Sequence, residues 1–541
     1  MQVCRSPRRP RPRVPALRKV LTAVLGFGFA GLSPAGADNW PQAAGPSANW
    51  KVEGHAPTQW SVVLDQNIKW RTTLPEGGQS SVTIWGDKAF VTTHRPLDST
   101  DQTATVTDIV GYCLSATTGA ILWTVDLPGS VAVGTAGIFS DATVFAPVTD
   151  GTHVWFFNRS GSIGCFDMTG QQVWLREYVP RNRHTNRQAE PILVGHQLLV
   201  VEVLDKAAAQ KLQRHAPIPA EIDPKSVWTY LHGLDAATGE TRWIEPTGTV
   251  IHNSPTVGQT AHGEWAVLHA RGGPHAPLET PYGLTLTSLA PGREGTTLWT
   301  TEIPDINPMF NPNWDAQHAY VMAGEYHLII DVQTGRELSR QHLRQKVDLW
   351  RHDPATDTHQ LERGVNLPGN KPRLNTYHTN LVVGDWHYFL AHERAAIGRV
   401  HLRSGQVEYL DVPLQLSVKP DGTRAQIWDE TQTIPIVPKN SRGINLLQDK
   451  RSAGTGWGHV SAASPLLVGH LLYFPVLSGT VYVIDTQAPE FSAEALVAIN
   501  DLGPAGETWT LSSLTYADHK LFTHTLTEVI CIGEGRPLVK P

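Results

Sequence analysis

The chain has 541 residues, of which 40% are hydrophobic and only 17% are charged, and it contains 47 glycines and 39 prolines. This composition is typical of a folded, turn-rich protein and excludes a disordered or collagen-like chain. The formal net charge of −6 over this length gives no basis for nucleic-acid binding.

Residues 1–37 have the three parts of a secretory signal peptide. Residues 1–19 carry basic but no acidic side chains, the apolar run VLTAVLGFGFAGL follows, and Ala35-Gly36-Ala37 fits a cleavage site of small residues. The apolar run is short for a membrane span, although a retained transmembrane anchor is an alternative. We therefore expect an exported protein, periplasmic or extracellular, without a transmembrane span after the signal is removed.

Residues 38–66 are predicted to form an N-terminal extension, which a partial repeat, NIKWRTTLP from Asn67, follows. The complete repeat begins at Gly111, in GYCLSATTGAILWTVDLPG, and consists of a strand, a Thr-Gly turn and a strand with a central Trp. Further copies begin at Gly161, Leu231, Leu286, Leu328, Ile397 and Gly479. An apolar hairpin precedes each copy, so each unit is predicted to be four short antiparallel strands.

Eight such units begin near residues 79, 142, 188, 252, 313, 377, 461 and 510. Four strands per unit predict an all-β fold, an eight-bladed β-propeller of four-stranded antiparallel blades over residues 67–535, with a C-terminal tail at 536–541. The last unit has only three strands. We therefore expect NIKWRTTLP to complete the last blade and close the ring, since closure pairs edges that would otherwise be exposed.

One Trp recurs at the same place in the outer strand of several units, at Trp70, Trp123, Trp174, Trp243 and Trp299. A large apolar ring at this place is expected to pack between adjacent blades. Leu338, Tyr409 and Ala495 or Leu496 are expected to replace it in the weaker units. Cys113, Cys165 and Cys531 lie inside apolar strands without metal-ligand spacing and are expected to be buried thiols.

The units, LDAATGETRW most clearly, resemble the pyrroloquinoline-quinone-type (PQQ-like) β-propeller repeat of the quinoprotein-like superfamily. The chain also looks like exported, non-catalytic members similar to the propeller subunit of the outer-membrane β-barrel assembly machinery. The resemblance implies a monomeric binding scaffold that has no cofactor and binds a protein or another cell-envelope component. The alternative that it implies is a dehydrogenase holding PQQ with calcium, or a metal, in the central channel. The vicinal Cys pair of many such enzymes is absent, so no catalytic or metal-binding residue is assigned.

The loops that lead into the first strand of each blade are rich in polar and aromatic residues. His252 lies six residues before Gly258, and His378 lies six before Gly384, so both are expected at one mouth of the channel. The candidate ligand-binding residues at that mouth are His252, Asn253, His378, Trp457, His459 and Trp509. The alternative is that these side chains satisfy backbone groups where the strands begin.

Two other features are candidates for contact with a partner. The loop RNRHTNR places Arg181, Arg183 and Arg187 close together, where they could bind an anionic surface. Two insertions, residues 347–373 and 412–457, fit no blade and are expected to decorate one face. Trp314, Trp457 and Trp509 hint at contact with a carbohydrate.

Overall fold

The predicted strands form eight blades of a propeller in a computed structural model, which confirms the predicted fold class. Adjacent blades meet through their first strands, which surround the central channel. The strands of each blade are given from the innermost to the outermost. In the first half of the ring, blade 1 is Thr83–Trp85, Lys88–His94, Ile109–Ser115 and Ile121–Leu127; blade 2 is Val148–Thr149, His153–Asn158, Ser162–Asp167 and Gln172–Glu177; blade 3 is Ile192–Val194, Gln197–Val203, Thr229–Asp235 and Thr241–Glu245; blade 4 is Thr256–Gln259, Trp265–Gly273, Glu279–Ser288 and Thr297–Glu302. In the second half, blade 5 is Asn313–Trp314, His318–Ala323, Tyr326–Asp331 and Glu337–His342; blade 6 is Asn380–Val383, Trp386–Ala391, Ala396–His401 and Val407–Asp411; blade 7 is Leu466–Val468, Leu471–Pro475, Thr480–Asp485 and Leu496–Asp501; blade 8 is Thr515–Ala517, Lys520–His524, Glu528–Ile532 and Ile68–Thr73.

The structure describes residues 39–97, 105–130, 132–134, 142–178, 189–203, 229–245, 254–273, 279–306, 310–368, 376, 378–391, 394–445 and 463–534. The predicted signal peptide and C-terminal tail lie outside these residues. Apart from the N-terminal segment and the insertions described below, the described elements outside the blades are a two-stranded sheet of Thr105–Val106 and Val133–Gly134, and the short 3-10 helices Glu430–Gln432 and Ala493–Ala495. In the described part of the chain, no helix has the length and apolar character that crossing a membrane requires.

The ring closes through the strand that the partial repeat predicts. Ile68–Thr73 pairs antiparallel with Glu528–Ile532 and becomes the outer strand of blade 8, with Trp70 directly opposite Cys531. The two ends of the propeller therefore meet in one sheet, and the last blade has its fourth strand.

Each of the five repeated Trp side chains lies against the turn glycine of the next blade. In the first pair, the Trp70 indole N–H donates to the carbonyl of Ala116 at 3.0 Å. Gly119 has φ +75°, and a Cβ at this position would lie only 2.5 Å from the Trp70 ring. The other pairs are Trp123 with Gly170, Trp174 with Gly239, Trp243 with Gly295, and Trp299 with Gly335. Glycine therefore provides both the left-handed turn and the space for the ring.

The expectation that Leu338 replaces this Trp in blade 5 is wrong by one residue. A β-bulge in the outer strand places Ser339 opposite Ile329, in the register that Trp299 has opposite Leu286. Leu338 is the bulged residue and is 55% exposed. The outer strands of blades 1 to 4 have the same bulge, and their Trp is the fourth residue after the turn glycine, a position that Ser339 occupies in blade 5.

The two insertions are folded parts of the propeller. The hairpin of Val347–Asp353 and Thr358–Val365 joins the outer edge of blade 6 through parallel pairing with Val407–Asp411, which corrects the expectation that this insertion fits no blade. The second insertion begins with the hairpin of Gln415–Val418 and Arg424–Ile427. Its later residues run over the loops of blades 7 and 8, where the Asn440 side chain donates to Glu76 and Arg442 forms an ion pair with Glu76 at 2.7 Å.

Residues 40–52, here called the N-terminal segment, cross the other mouth of the channel. Trp40 forms a β-bridge with Ile84 of blade 1, and the carbonyl of Pro41 accepts the N–H of Thr149 in blade 2 at 2.9 Å. At its far end, Lys51–Val52 pairs in parallel with the first strand of blade 7. Trp40, Ala48 and Trp50 are buried in this position. The segment therefore ties the first strands of several blades together.

We predict that Trp70→Ala destabilises the protein strongly, because it leaves a cavity at the junction where the chain ends meet. The free energy of unfolding should fall by about 3–5 kcal/mol, measured by chemical denaturation. The control is Leu338→Ala, because Leu338 is the exposed bulge residue of an equivalent outer strand, and its loss should cost less than about 0.5 kcal/mol. Equal effects of the two substitutions would contradict this account of closure.

Candidate functional site

Polar side chains that precede the first strands join the blades by hydrogen bonds around the channel. The donor and acceptor pairs are Ser513 N–H to Ser81 Oγ at 3.1 Å, Ser464 N–H to Ser513 Oγ at 2.8 Å, Asn311 Nδ2 to Ser464 Oγ at 3.0 Å, Ser254 N–H to Asn311 Oδ1 at 2.8 Å, Glu190 N–H to Ser254 Oγ at 3.3 Å, and Ala146 N–H to Glu190 Oε2 at 2.9 Å. Seven of the eight blades take part. Many of the polar side chains at these loop ends therefore accept hydrogen bonds from buried backbone N–H groups.

The register that led to the paired histidines is offset in blade 4. Gly258 lies inside the strand Thr256–Gln259, and the turn follows at residues 260–263, whereas Gly384 directly follows the strand Asn380–Val383. Counting back from these two glycines therefore does not give equivalent positions. Among the mouth residues that the sequence analysis named, His252, Asn253, Trp457 and His459 lie outside the described residues, as do Arg181, Arg183 and Arg187.

His378 and Trp509 are described, and both are buried. His378 lines a small cavity on the channel axis together with Glu190 and with Trp50 of the N-terminal segment. Trp509 belongs to an apolar cluster with Ile436 of the second insertion, Leu477 and Leu526. The insertion therefore covers Trp509, which is not exposed at a mouth.

The cavity that the described residues enclose on the channel axis is small. The cavity beside His378 has a volume of about 20 Å³, whereas sites for small organic ligands have about 300–1,000 Å³. Among the described residues, no group of three or more His, Cys, Asp or Glu side chains has the arrangement of a metal site. A tricyclic quinone does not fit this cavity, and we derive no chemistry from one.

Glu190 has an unusual environment for an ionisable group. Protein surrounds its carboxyl group, which keeps some contact with the small cavity. Burial raises its pKa to about 8, and the hydrogen bond from the Ala146 N–H only partly opposes this rise. Glu190 is therefore largely protonated at neutral pH, which makes it a neutral link in the hydrogen-bonded ring.

The cysteines do not form a reactive site. Cys113, Cys165 and Cys531 are buried free thiols, and burial raises the pKa of each to about 12. A thiol with such a pKa has almost no thiolate at neutral pH and is a poor nucleophile.

A larger pocket lies on the outside of the ring, where the two insertions meet blade 6. It has a volume of about 510 Å³, and we call it the insertion pocket; its lining includes His352, Pro354, Arg394, Asp411, Trp428 and Gln432. The His352 ring stacks on the Trp428 indole, with centroids 3.5 Å apart and an angle of 6° between the planes. This contact joins the hairpin of the first insertion to the residue that follows the hairpin of the second.

Hydrogen bonds hold the walls of the insertion pocket in place. His352 Nε2 lies 3.0 Å from the carboxylate of Asp357, and His359 Nε2 lies 2.9 Å from the carbonyl of Asp411. The Arg394 guanidinium donates to the Asp411 carboxylate at the base of the pocket. The sequence predicted that the insertions would be a surface for recognition, but none of its patterns pointed to His352 or Trp428.

The comparisons with known proteins agree with the fold. A family model described as "Outer membrane protein assembly factor BamB" matches residues 62–218. BamB from Moraxella catarrhalis is 11% identical, with a TM-score of 0.45, over 87% of this chain and 98% of its own. Quinohemoprotein alcohol dehydrogenase from Comamonas testosteroni is 11% identical, with a TM-score of 0.50, over 93% of this chain and 82% of its own. No curated protein matches. At this identity, the likeness to solved structures shows the fold alone.

We predict that Glu190→Gln reduces the pH dependence of stability. Glu190 has a raised pKa in the folded state, so its stabilising contribution is complete below its unfolded pKa and is lost as the pH rises through about 8. Between pH 5 and 8, the free energy of unfolding should fall by about 3 kcal/mol more in the wild type than in the variant, since a tenfold change in proton affinity corresponds to about 1.4 kcal/mol. Urea denaturation at both pH values measures this difference.

The matched control for this experiment is Glu240→Gln, at an exposed glutamate in the turn of blade 3. Its pH profile should follow the wild type. Parallel profiles of Glu190→Gln and the wild type would mean that Glu190 is ionised in the folded protein.

Proposed function

We propose that this chain, which belongs to the PQQ-like β-propeller family, works as an exported, non-catalytic scaffold that binds a protein of the cell envelope through the insertion pocket. The description of the matching family model, an outer membrane protein assembly factor, supports a protein partner. The basic, apolar and small-residue pattern of residues 1–37 supports export.

The insertion pocket is the observation that carries the proposal. Trp and Arg are the side chains most often found at the energetic centre of protein interfaces, and Trp428 and Arg394 both line this pocket. The stacked His352 ring and the Arg394–Asp411 ion pair limit the motion of the walls, so little conformational entropy is lost when a partner binds. A volume of about 510 Å³ suits one or two large side chains from a partner loop.

The charges around the insertion pocket favour a partner with hydrogen-bond donors. Asp429 is exposed at the pocket edge, and hydrogen bonds from the backbone N–H and the hydroxyl of Thr431 lower its pKa, which keeps it ionised at neutral pH. The neighbouring Gln432 is also exposed. A partner loop with an aromatic or basic side chain would match the Trp428 ring and the Asp429 carboxylate.

The contact can be tested by photocrosslinking in living cells. A photoreactive amino acid at Gln432, on the edge of the insertion pocket, should give a discrete adduct with an envelope protein. The same amino acid at Val173, which is 48% exposed on the outer strand of blade 2, is the control and should give none. Identical adducts at the two positions, or no adduct at Gln432, would contradict the proposed interface.

With the partner identified in this way, Trp428→Ala should weaken its binding at least tenfold, because the truncation removes the central ring of the pocket. Isothermal calorimetry with the purified pair measures this loss. Val173→Ala, in the exposed control region, should bind as the wild type does. Unchanged affinity of Trp428→Ala would move the interface away from the pocket.

The non-catalytic part of the proposal has a separate test. Protein purified from the exported fraction should have no quinone absorbance band and should not reduce a dye with an alcohol, with or without added PQQ and calcium. Calcium-dependent dye reduction by the reconstituted protein would overturn this part, whatever the crosslinking result.

A further inference from the structure

A second pocket lies on the opposite face of the ring, between the N-terminal segment and the first strands of blades 4 and 5. Its volume is about 520 Å³, within the range of sites for small organic ligands. We call it the segment pocket, and its main lining residues are Ser47, Lys51, Gln259, Trp265, Trp314 and Asp315. It is separate from the insertion pocket and from the channel cavity.

Two tryptophans give the segment pocket flat apolar walls. The Trp314 indole N–H donates to the carbonyl of Thr256 at 3.2 Å, and its ring packs so closely on blade 4 that a Cβ at Gly258 would lie 2.9 Å from it. The orientation of this ring is therefore fixed. Trp265, at the start of the second strand of blade 4, is half-buried and lines the same space.

A half-buried cation, Lys51, lines the same pocket as these rings. Lys51 is held in place because its strand, Lys51–Val52, pairs with the first strand of blade 7. Burial lowers the pKa of its ammonium group to about 8, and the charge of Asp315 only partly offsets this. Lys51 is therefore mostly protonated at pH 7 but poorly solvated, which favours an anion that could pair with it.

Asp315, the carboxylate whose charge acts on Lys51, accepts its hydrogen bonds from other groups. Asp315 accepts the Tyr320 hydroxyl at 2.7 Å and the backbone N–H groups of Gln317 and His318 at 2.8 and 2.9 Å. Burial alone would raise the pKa of Asp315, but these hydrogen bonds together lower it. Asp315 stays ionised within its own turn, and no direct ion pair between it and Lys51 forms among the described residues.

We propose that the segment pocket binds an acidic saccharide, with its carboxylate on the Lys51 ammonium and the apolar face of its ring on Trp314 and Trp265. The exposed Ser47 hydroxyl and Gln259 amide at the rim provide hydrogen-bond partners for the sugar hydroxyls. An aliphatic or aromatic acid would use the ammonium and the rings but would leave these rim groups without partners.

The binding should depend on pH through Lys51. The titratable groups that face it are Asp315 and Tyr320 of blade 5 and His387 of blade 6. Burial raises the pKa of Tyr320 and lowers that of His387, so neither group changes its charge between pH 7 and 9. Affinity for a carboxylate should therefore fall about tenfold from pH 7 to pH 9, as Lys51 loses its proton.

The experiment uses glucuronate as the probe, with glucose and benzoate as matched comparisons, and follows Trp fluorescence and saturation-transfer NMR of the purified chain. Glucuronate should bind, and glucose and benzoate should bind at least tenfold more weakly. Lys51→Met, which keeps the size but removes the charge, should weaken glucuronate binding at least tenfold and abolish its pH dependence. Lys520→Met, at the start of the second strand of blade 8 and outside the pocket lining, is the control and should bind normally.

Ser47→Trp gives an independent test, because this exposed position can take a large side chain that fills the pocket without changing the core. It should abolish glucuronate binding while the melting temperature stays unchanged. Three outcomes would overturn the proposal: no binding of glucuronate, equal binding of glucose, or glucuronate binding that Lys51→Met and Ser47→Trp leave unchanged. Stronger binding of benzoate than of glucuronate would also overturn the saccharide assignment.

Discussion

The structure depends on a repeated contact in which a Trp ring of one blade lies against the turn glycine of the next. Such a pair joins blade 8 to blade 1, and four further pairs continue the series to blade 5. Because the ring is closed, opening one junction would expose the apolar faces of the two blades that meet there. At the remaining junctions other contacts hold the ring. The Tyr409 hydroxyl donates to the chain leaving blade 5, and Arg399 lies over the Phe491 ring between blades 6 and 7.

Three parts of the chain outside the repeat pack on blades 6 and 7, at junctions that lack these Trp–Gly pairs. The first insertion widens blade 6, and the second packs on blade 7, where Leu416 N–H donates to Thr480 at 3.1 Å. Trp60 of the N-terminal extension is buried and donates to the carbonyl of Asp501 in blade 7 at 3.0 Å. The two insertions line the insertion pocket, whereas the segment pocket lies between the N-terminal segment and blades 4 and 5.

The sequence was sufficient to predict the blades and their closure but not the two pockets. Closure could be predicted because the partial repeat around Trp70 supplied the strand that blade 8 lacked. Leu338 was wrong by one residue, because the fourth residue after the turn glycine, which is the Trp in blades 1 to 4, is Ser339 in blade 5. The stack of His352 on Trp428 and the position of Lys51 beside Trp314 depend on segments that approach only in the folded ring, and no local pattern encodes such approaches.

The N-terminal region is a fixed part of the propeller, in which Ile68–Thr73 closes the ring and residues 40–52 close one mouth of the channel. Hydrogen–deuterium exchange of the native protein tests this claim most directly. The amides of Trp40 and Trp50, which donate to backbone carbonyls at 2.8 Å, and those of Ile68–Thr73 should exchange as slowly as the strands of blade 7. Exchange of these amides within seconds, while the blades stay protected, would contradict the account.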